Sequence, residues 1–315
     1  MRCCWTMPLS AQSVDRGTSV LGPAFAFIAA CAFALGTVLQ QKGTLGTTSG
    51  SGDSHWLIQI LHEPVWLAGL LLQAAGWVLQ AVALAKGPLM VVQAITTLNL
   101  VIALPFGAWL THQHIDRRVV LGALAAVVGI VVFLSVGSPH GGTTHPSART
   151  WWITCLVTLV LVLATAELGR RRRGAARALL FGAAAGFGFA LQTAVTKDFV
   201  TEIGGGVVAL LADWSVYVLV ASAVIGFVLQ QSALKTGVLA PAMASSNAVT
   251  LFAGVILGAV VYGETLSHGG GHVAPAIIGL AVAVVGVVLL AGAEGPTAGE
   301  TASGSRDVPA RAPGP

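Results

Sequence analysis

Charged residues are scarce in this chain of 315 residues: Asp, Glu, Lys and Arg together make up only 9% of it, whereas hydrophobic residues make up 55%. A soluble domain of this length needs far more polar surface, so the composition excludes one and indicates an integral membrane protein. The net charge of +4 arises from Lys and Arg in short loops. It therefore reports membrane orientation and gives no reason to expect nucleic-acid binding.

Recognisable catalytic chemistry is also missing. The four cysteines show neither a CxxC pair nor metal-ligand spacing. The sequence contains no nucleophile elbow, phosphate-binding loop, HExxH motif or dinucleotide fingerprint, so we expect neither an enzyme nor a bound cofactor or metal. Carboxylates such as Glu63, Asp198 and Glu264 fall at the ends of predicted spans or in loops. A buried carboxylate relay or a deep divalent-cation cage thus has no obvious ligand.

What the chain does contain is long apolar runs. About 20 apolar residues cross roughly 30 Å of hydrocarbon as a helix. On this criterion we predict an all-α, polytopic membrane protein with about nine transmembrane helices. The predicted spans are Ser19–Gln41, Pro64–Ala85, Pro88–Leu110, Arg118–Gly137, Trp151–Leu168, Ala178–Phe199, Trp214–Leu234, Val238–Val261 and Val273–Ala293.

An internal repeat relates the two halves of the chain. Residues 76–89, GWVLQAVALAKGPL, recur at 226–239 as GFVLQQSALKTGVL, with eight of fourteen positions identical. The second and third spans match the seventh and eighth at an offset of 150; the first matches the sixth at 152, through Gly36/Gly188 for example, and the fourth matches the ninth at 157. Since five crossings separate each matched pair, the halves must enter the bilayer from opposite sides, which is the inverted-repeat plan of many secondary transporters.

The repeat sets the predicted organisation: two inverted repeats of four helices joined by a connector helix. The units are an N-terminal segment (1–18), a first membrane repeat (19–137), a linker with the connector helix (138–177), a second membrane repeat (178–294) and a disordered tail (295–315). Lys and Arg concentrate on one side of the spans, so we predict a cytoplasmic-membrane protein with the N-terminus outside and the C-terminus in the cytoplasm. Lys197 falls on the outer side, where we expect it at the membrane interface.

Small and bent positions indicate how the helices pack. Gly122 and Gly129, like the matched Gly279 and Gly286, lie seven residues apart and share a helix face. Such faces allow close helix contact in lipid, within the chain or in a homodimer. Pro105 lies inside the third predicted span and should kink it.

Amides and hydroxyls inside the apolar spans are the candidate site. A buried amide costs on the order of 1–3 kcal/mol if unpaired, so these side chains must bond to one another, to the backbone, or to solute and water in a cavity. For any single residue, hydrogen bonding between helices is the alternative. The predicted substrate-binding residues are Gln40, Gln80, Gln93, Thr96, Thr97, Asn99, Gln192, Gln230, Ser245, Ser246 and Asn247.

Three segments carry a family resemblance. LQQKG at 39–43, the run EPVWLAGLLLQAAGWVLQAVALAKGPLMVVQ from Glu63, and YGETL followed by GLAVAVVGVVLL resemble the drug/metabolite transporter superfamily with EamA-type repeats. The loop after LQQKG and the Trp-x-Ala-Gly opening of the second span are similar to the NIPA-type magnesium transporter branch. The GETL segment, Gly263–Leu266, is similar to the Gly-Glu signature of such repeats, and the first half has His112–Ile115 in its place. The resemblance implies a polytopic transporter of small metabolites, drugs or magnesium.

The sequence therefore predicts a carrier that moves a small solute across the bilayer by alternating access. The alternative within transport is NIPA-like movement of Mg²⁺. An alternative of another class is a non-transporting membrane scaffold, in which the amides only hold helices together and the basic loop recruits partners.

Overall fold

The computed structural model describes residues 18–45, 62–111, 117–143, 146–202, 213–234, 236, 239–266 and 273–292. The predicted tail (295–315) and nearly all of the predicted N-terminal segment (1–18) lie outside these residues. The helices are α1 (Thr18–Leu45), α2 (Pro64–Lys86), α3 (Leu89–Thr96), α4 (Asn99–Thr111), α5 (Arg117–Gly137), α6 (Ala148–Arg170), α7 (Gly174–Glu202), α8 (Trp214–Leu234), α9 (Leu239–Val261) and α10 (Val273–Gly292).

The helices have the length and the apolar surface that a bilayer requires. Seven of them, α1, α2 and α5 to α9, are long and apolar enough to cross a membrane, and shorter apolar stretches lie at Leu89–Ala103 and Val273–Leu289. Side chains such as Trp152, Leu156 and Leu163 of α6 are exposed on the surface of the bundle. Hydrocarbon accepts such a surface, whereas water would not. The prediction of an all-α, polytopic membrane protein is confirmed.

The third predicted span is interrupted in its middle. α3 ends at Thr96 and α4 begins at Asn99. The hydroxyls of Thr96 and Thr97 donate to main-chain carbonyls one turn back, at 2.9 and 2.8 Å, and the amide of Leu98 bonds only three residues back. Hydroxyls that compete for helix carbonyls in this way bend or break a helix. The interruption therefore falls here, whereas Pro105, which we predicted as the bend, lies within α4.

The first two helices make equivalent contacts in both halves of the chain. A Cβ on Gly76 of α2 would lie 2.6 Å from the ring of Phe33 on α1, and one on Gly226 of α8 would lie 2.9 Å from the ring of Phe189 on α7. These contacts relate the first and sixth spans at an offset of 156, so the predicted offset of 152 is wrong. At 156, FALGT (33–37) aligns with FALQT (189–193). The earlier register relied on Gly and Gln matches that an apolar, Ala-rich composition produces by chance, whereas helix packing fixes which faces meet.

The last helices of the two halves pack against each other. A Cβ on Gly129 of α5 would lie 2.6 Å from the carbonyl oxygen of Gly279, and one on Gly286 of α10 would lie 2.7 Å from that of Gly122. Since the paired numbers rise along α5 while they fall along α10, the two helices run antiparallel. Because Gly279 and Gly286 are the repeat partners of Gly122 and Gly129, the contact is reciprocal, as across a twofold axis.

Candidate functional site

A polar cavity of about 250 Å³ lies among helices of both halves. Its walls come from α1, α2, α7, α8, α9 and the interruption between α3 and α4. None of the described residues that line it carries a charge. Broken helices at the centre of a membrane protein are tolerated where they line such a cavity, since the freed backbone groups then have partners.

Most of the predicted site residues line this cavity. They include matched pairs at the offset of 150, such as Gln80 with Gln230. The predicted residues on the cavity wall are Gln80, Gln93, Thr96, Thr97, Asn99, Gln230, Ser246 and Asn247. The structure thus brings together amides and hydroxyls that lie far apart in sequence.

Three predicted residues lie elsewhere. The hydroxyl of Ser245 donates to the carbonyl oxygen of Leu179 at 2.7 Å and so ties α9 to α7. Gln40 packs its aliphatic carbons beside Gly69 of α2, where a Cβ would lie 2.9 Å from Gln40 Cγ. Gln192 lines a second, mainly apolar cleft between α2, α7 and α8, where its side-chain oxygen is buried without a hydrogen-bond partner. Ser245 thus serves the interhelical role that the sequence left open.

Several residues on the cavity wall were not predicted from the sequence. Phe33 and Thr37 of α1, with Phe189 and Thr193 of α7, line the cavity. In both helices the threonine hydroxyl donates to the carbonyl oxygen of the phenylalanine four residues earlier, at 2.9 Å. The FALGT and FALQT match at an offset of 156 was the signal that could have found them. The other unpredicted wall residues are Gln73, Trp77, Met243 and Thr250.

The threonine hydroxyls on the wall already use their hydrogens. The five lining threonines each donate to a main-chain carbonyl, at 2.7 to 2.9 Å. Asn247 spends one N–H on the carbonyl oxygen of Met243 at 2.9 Å, and Gln230 spends one on the Met243 sulfur at 3.0 Å. The side-chain oxygens of Gln93 and Gln230 are buried and have no partner. The threonine hydroxyls therefore have only acceptor capacity left, whereas the amides of Asn247 and Gln230 each keep a second N–H.

A buried ion pair of the second half lies away from the cavity and also contacts the first half. Glu264, whose side chain is 0% exposed, receives a hydrogen bond of 2.6 Å from the Lys197 ammonium. The same carboxylate accepts from the backbone N–H groups of Leu89 and, at 2.8 Å, Met90. These are the first amides of α3, which begins after Pro88. Glu264 of the second half thus holds the N-terminus of a first-half helix, where the helix dipole favours a negative charge.

The positions of Lys197 and Glu264 differ from those expected from the sequence. We predicted Lys197 at the membrane interface, yet its residue is only 8% exposed, and Glu264, assigned to a loop, is 3% exposed. Hydropathy places both near span ends but does not show that the loop after α9 folds back over the first residues of α3. The sequence did not reveal these contacts because Lys197, Glu264 and the first residues of α3 are distant from one another along the chain.

The ring of Tyr262 packs against the Lys197 ammonium. Its Nζ lies 4.4 Å from the centre of the Tyr262 ring, and the Tyr262 hydroxyl donates to the carbonyl oxygen of Ala194 at 2.7 Å. Burial, followed by the charges of Asp198 and Glu264, raises the pKa of Tyr262 well above its usual range. The phenol therefore stays a neutral hydrogen-bond donor. Together these contacts close this end of the bundle around a desolvated cation.

The apolar helices and the cavity lined by polar side chains define a multi-pass membrane protein with polar groups between its helices. No family model matches the chain, and no solved structure matches it. The chain is 29% identical to an uncharacterized protein of Corynebacterium glutamicum over 255 residues, which cover 78% of this chain and 86% of that protein. It is 26% identical over 113 residues to NIPA6, a probable magnesium transporter of Arabidopsis thaliana, with 36% of this chain and 33% of that protein covered. The second match and the apolar helices support a membrane transporter in general.

Proposed function

We propose that this protein is a carrier of the drug/metabolite type that moves a small solute across the cytoplasmic membrane by alternating access. The observation that carries the proposal is the uncharged cavity, to which repeat-matched residues of both halves contribute, such as Gln80 and Gln230. In inverted-repeat transporters the solute site lies at the interface of the repeats and is often formed by discontinuous helices. The interruption between α3 and α4 gives this cavity such a helix.

The reciprocal contact of α5 with α10 supports the inverted-repeat part of the proposal. Two similar four-helix units that enter the membrane from opposite sides are related by a twofold axis in the membrane plane. Antiparallel packing of matched helices through Gly129 and Gly286 is the contact expected beside such an axis. Each unit can then adopt the conformation of the other, which exchanges the side to which the cavity opens.

The Lys197–Glu264 pair supplies a closure at one end. By the charge bias this end is the outer one, since α7 and α9 both end there. Opening the cavity to that side requires Glu264 to release the first amides of α3. The repeat partner of Lys197 at the offset of 156 is Gln41, and the partner of Glu264 in the His112–Ile115 segment is Gln113. The side chains of both amides lie outside the described part of the chain.

Flux through reconstituted liposomes tests the proposal. We expect protein-dependent uptake of at least one labelled small solute, and each of Gln80→Leu and Gln230→Leu should reduce its rate about tenfold, the value of one lost hydrogen bond to a solute. Ser245→Ala is the matched control because its hydroxyl bonds Leu179 and lies off the cavity. Uptake that is unchanged in both Leu variants, with normal insertion, would remove the two amides from the pathway.

Movement of Mg²⁺ is the second candidate, and the partial similarity to the plant magnesium transporter favours it. Mg²⁺ usually retains several waters and contacts one or two carboxylates. The described residues that line the cavity include amide, hydroxyl, thioether and aromatic groups but no carboxylate. Mg²⁺ uptake into liposomes loaded with a Mg²⁺ indicator, if it exceeds that of every organic solute tested, would replace the leading proposal. Absence of flux for the whole panel and for Mg²⁺ would favour the scaffold.

A further inference from the structure

Unpartnered oxygens in the cavity bear on the charge of its ligand. Gln93 and Gln230 each bury a side-chain oxygen that has no donor, and Gln93 is only 4% exposed. A buried acceptor without a donor keeps its desolvation cost until a ligand N–H or O–H satisfies it. The lining threonines also present only lone pairs, so a ligand that brings hydrogen-bond donors would satisfy both kinds of acceptor.

The end of α3 places one of these oxygens at the cavity. Its eight residues run from the Glu264 carboxylate to Thr96, which lies on the cavity wall with Gln93 and Thr97. Gln93 thus stands in the last turn of α3, beside the interruption that precedes α4.

Aromatic rings form the apolar part of the wall. Phe33 and Trp77 contact each other edge to face, with ring centres 5.6 Å apart, and Phe189 lines the cavity with them. The faces of aromatic rings attract weakly hydrated organic cations, Trp most strongly. They offer little to Mg²⁺, which dehydrates reluctantly and prefers oxygen ligands.

We propose that the cavity binds an organic cation with N–H donors, of the primary ammonium class with an apolar body. This inference rests on the proposed function and names the substrate class of that site. The ammonium donates to the side-chain oxygens of Gln93 on α3 and Gln230 on α8, and the apolar body packs against the rings. An anion finds no positively charged side chain among the described wall residues, and the unpartnered oxygens of Gln93 and Gln230 disfavour it.

Matched probes test the charge requirement directly. Benzylammonium, benzamide and benzoate have similar size and differ in charge, and each can be titrated calorimetrically onto the full chain in lipid nanodiscs. We expect benzylammonium to bind at least about tenfold more tightly than benzamide, and benzoate not to bind. Equal or tighter binding of benzamide or benzoate, no binding of any probe, or Mg²⁺ binding that excludes benzylammonium would each overturn the proposal.

Two variants locate the binding site. Trp77→Leu keeps apolar volume but removes the ring, and should weaken benzylammonium binding about 2- to 30-fold, the range of one cation–π contact. Trp152→Leu is the control because Trp152 is 78% exposed on the surface of α6, and its affinity should equal that of the wild type. Phe189→Leu provides an independent second reading if Trp77→Leu does not fold. Unchanged affinity in the folded cavity variants would place the cation elsewhere and overturn the assignment.

Liposome flux separates failure of this inference from failure of the transport proposal. Binding of benzylammonium without flux of any solute would end the transport proposal and leave the cation site standing. Flux of a neutral or anionic solute that benzylammonium does not inhibit would leave transport standing and end the cation site. Benzylammonium uptake inhibited by unlabelled benzylammonium, and reduced in Trp77→Leu, would support both.

Discussion

Glu264→Gln should destabilise the protein by about 3–5 kcal/mol, the cost of breaking a buried ion pair from one side. The substitution leaves the Lys197 ammonium desolvated without its counterion. It also replaces a carboxylate oxygen by an amide NH₂ that faces the N–H groups of Leu89 and Met90. Reversible unfolding in mixed detergent micelles, followed by tryptophan fluorescence, measures the loss.

Two further variants test whether the loss of stability arises from the pairing of Glu264 with Lys197. The double variant Glu264→Gln with Lys197→Met removes both charges, so it should be less destabilised than the sum of its single variants by about 1–3 kcal/mol. Glu167→Gln is the matched control because Glu167 pairs with Arg170 and Arg171 on an exposed turn of α6, where charge pairs contribute little. Additive effects of the two buried substitutions would contradict the pairing of Glu264 with Lys197.

Gly129→Ala and Gly286→Ala should each lower the free energy of unfolding by about 3 kcal/mol, and the two losses should be similar. A Cβ on Gly129 overlaps the backbone of α10 near Gly279, and one on Gly286 overlaps that of α5 near Gly122. Backbone cannot rotate away as a side chain can, so the helices must separate along their length. The same micelle unfolding assay, with circular dichroism to confirm helix content, measures the effect.

The similarity of the two losses of stability tests the reciprocal contact of α5 with α10. It follows from the reciprocal contact, because each glycine approaches the repeat partner of the residue that the other approaches. Val128→Ala on α5 is the control, since Val128 is 54% exposed on the surface of the bundle and should change stability little. A large loss in only one of the two glycine variants would contradict a symmetric interface.

Much of the architecture followed from composition and length. A chain with so few charges must place its apolar helices in lipid, where backbone groups are satisfied only within helices, so the spans were predictable one by one. Position in sequence also selected many of the amides and hydroxyls on the cavity wall, since such groups are costly in hydrocarbon when they lack a partner. The matched pairs Gln80/Gln230 and Thr96/Ser246 came from the repeat alone.

Other features of the structure depended on local hydrogen bonds and on which helix faces pack together. The helix break at Thr97 arises from hydroxyls that bond the preceding turn, a local competition that hydropathy does not register. The register of the first and sixth spans was fixed by Phe33 and Phe189 packing on glycines. Side chains adjacent in sequence also separated: Ser246 lines the cavity, whereas Ser245 bonds α7.

The sequence by itself determined that this protein is a helical bundle in a membrane with polar side chains held inside it, because the free energy of burying apolar and polar groups is largely additive along the chain. Only the tertiary structure decided which of those side chains share a cavity and that Glu264 closes over α3 beside Lys197. Those are contacts between segments far apart in sequence. Their geometry depends on how whole helices cross and pack, and no local pattern of residues encodes that.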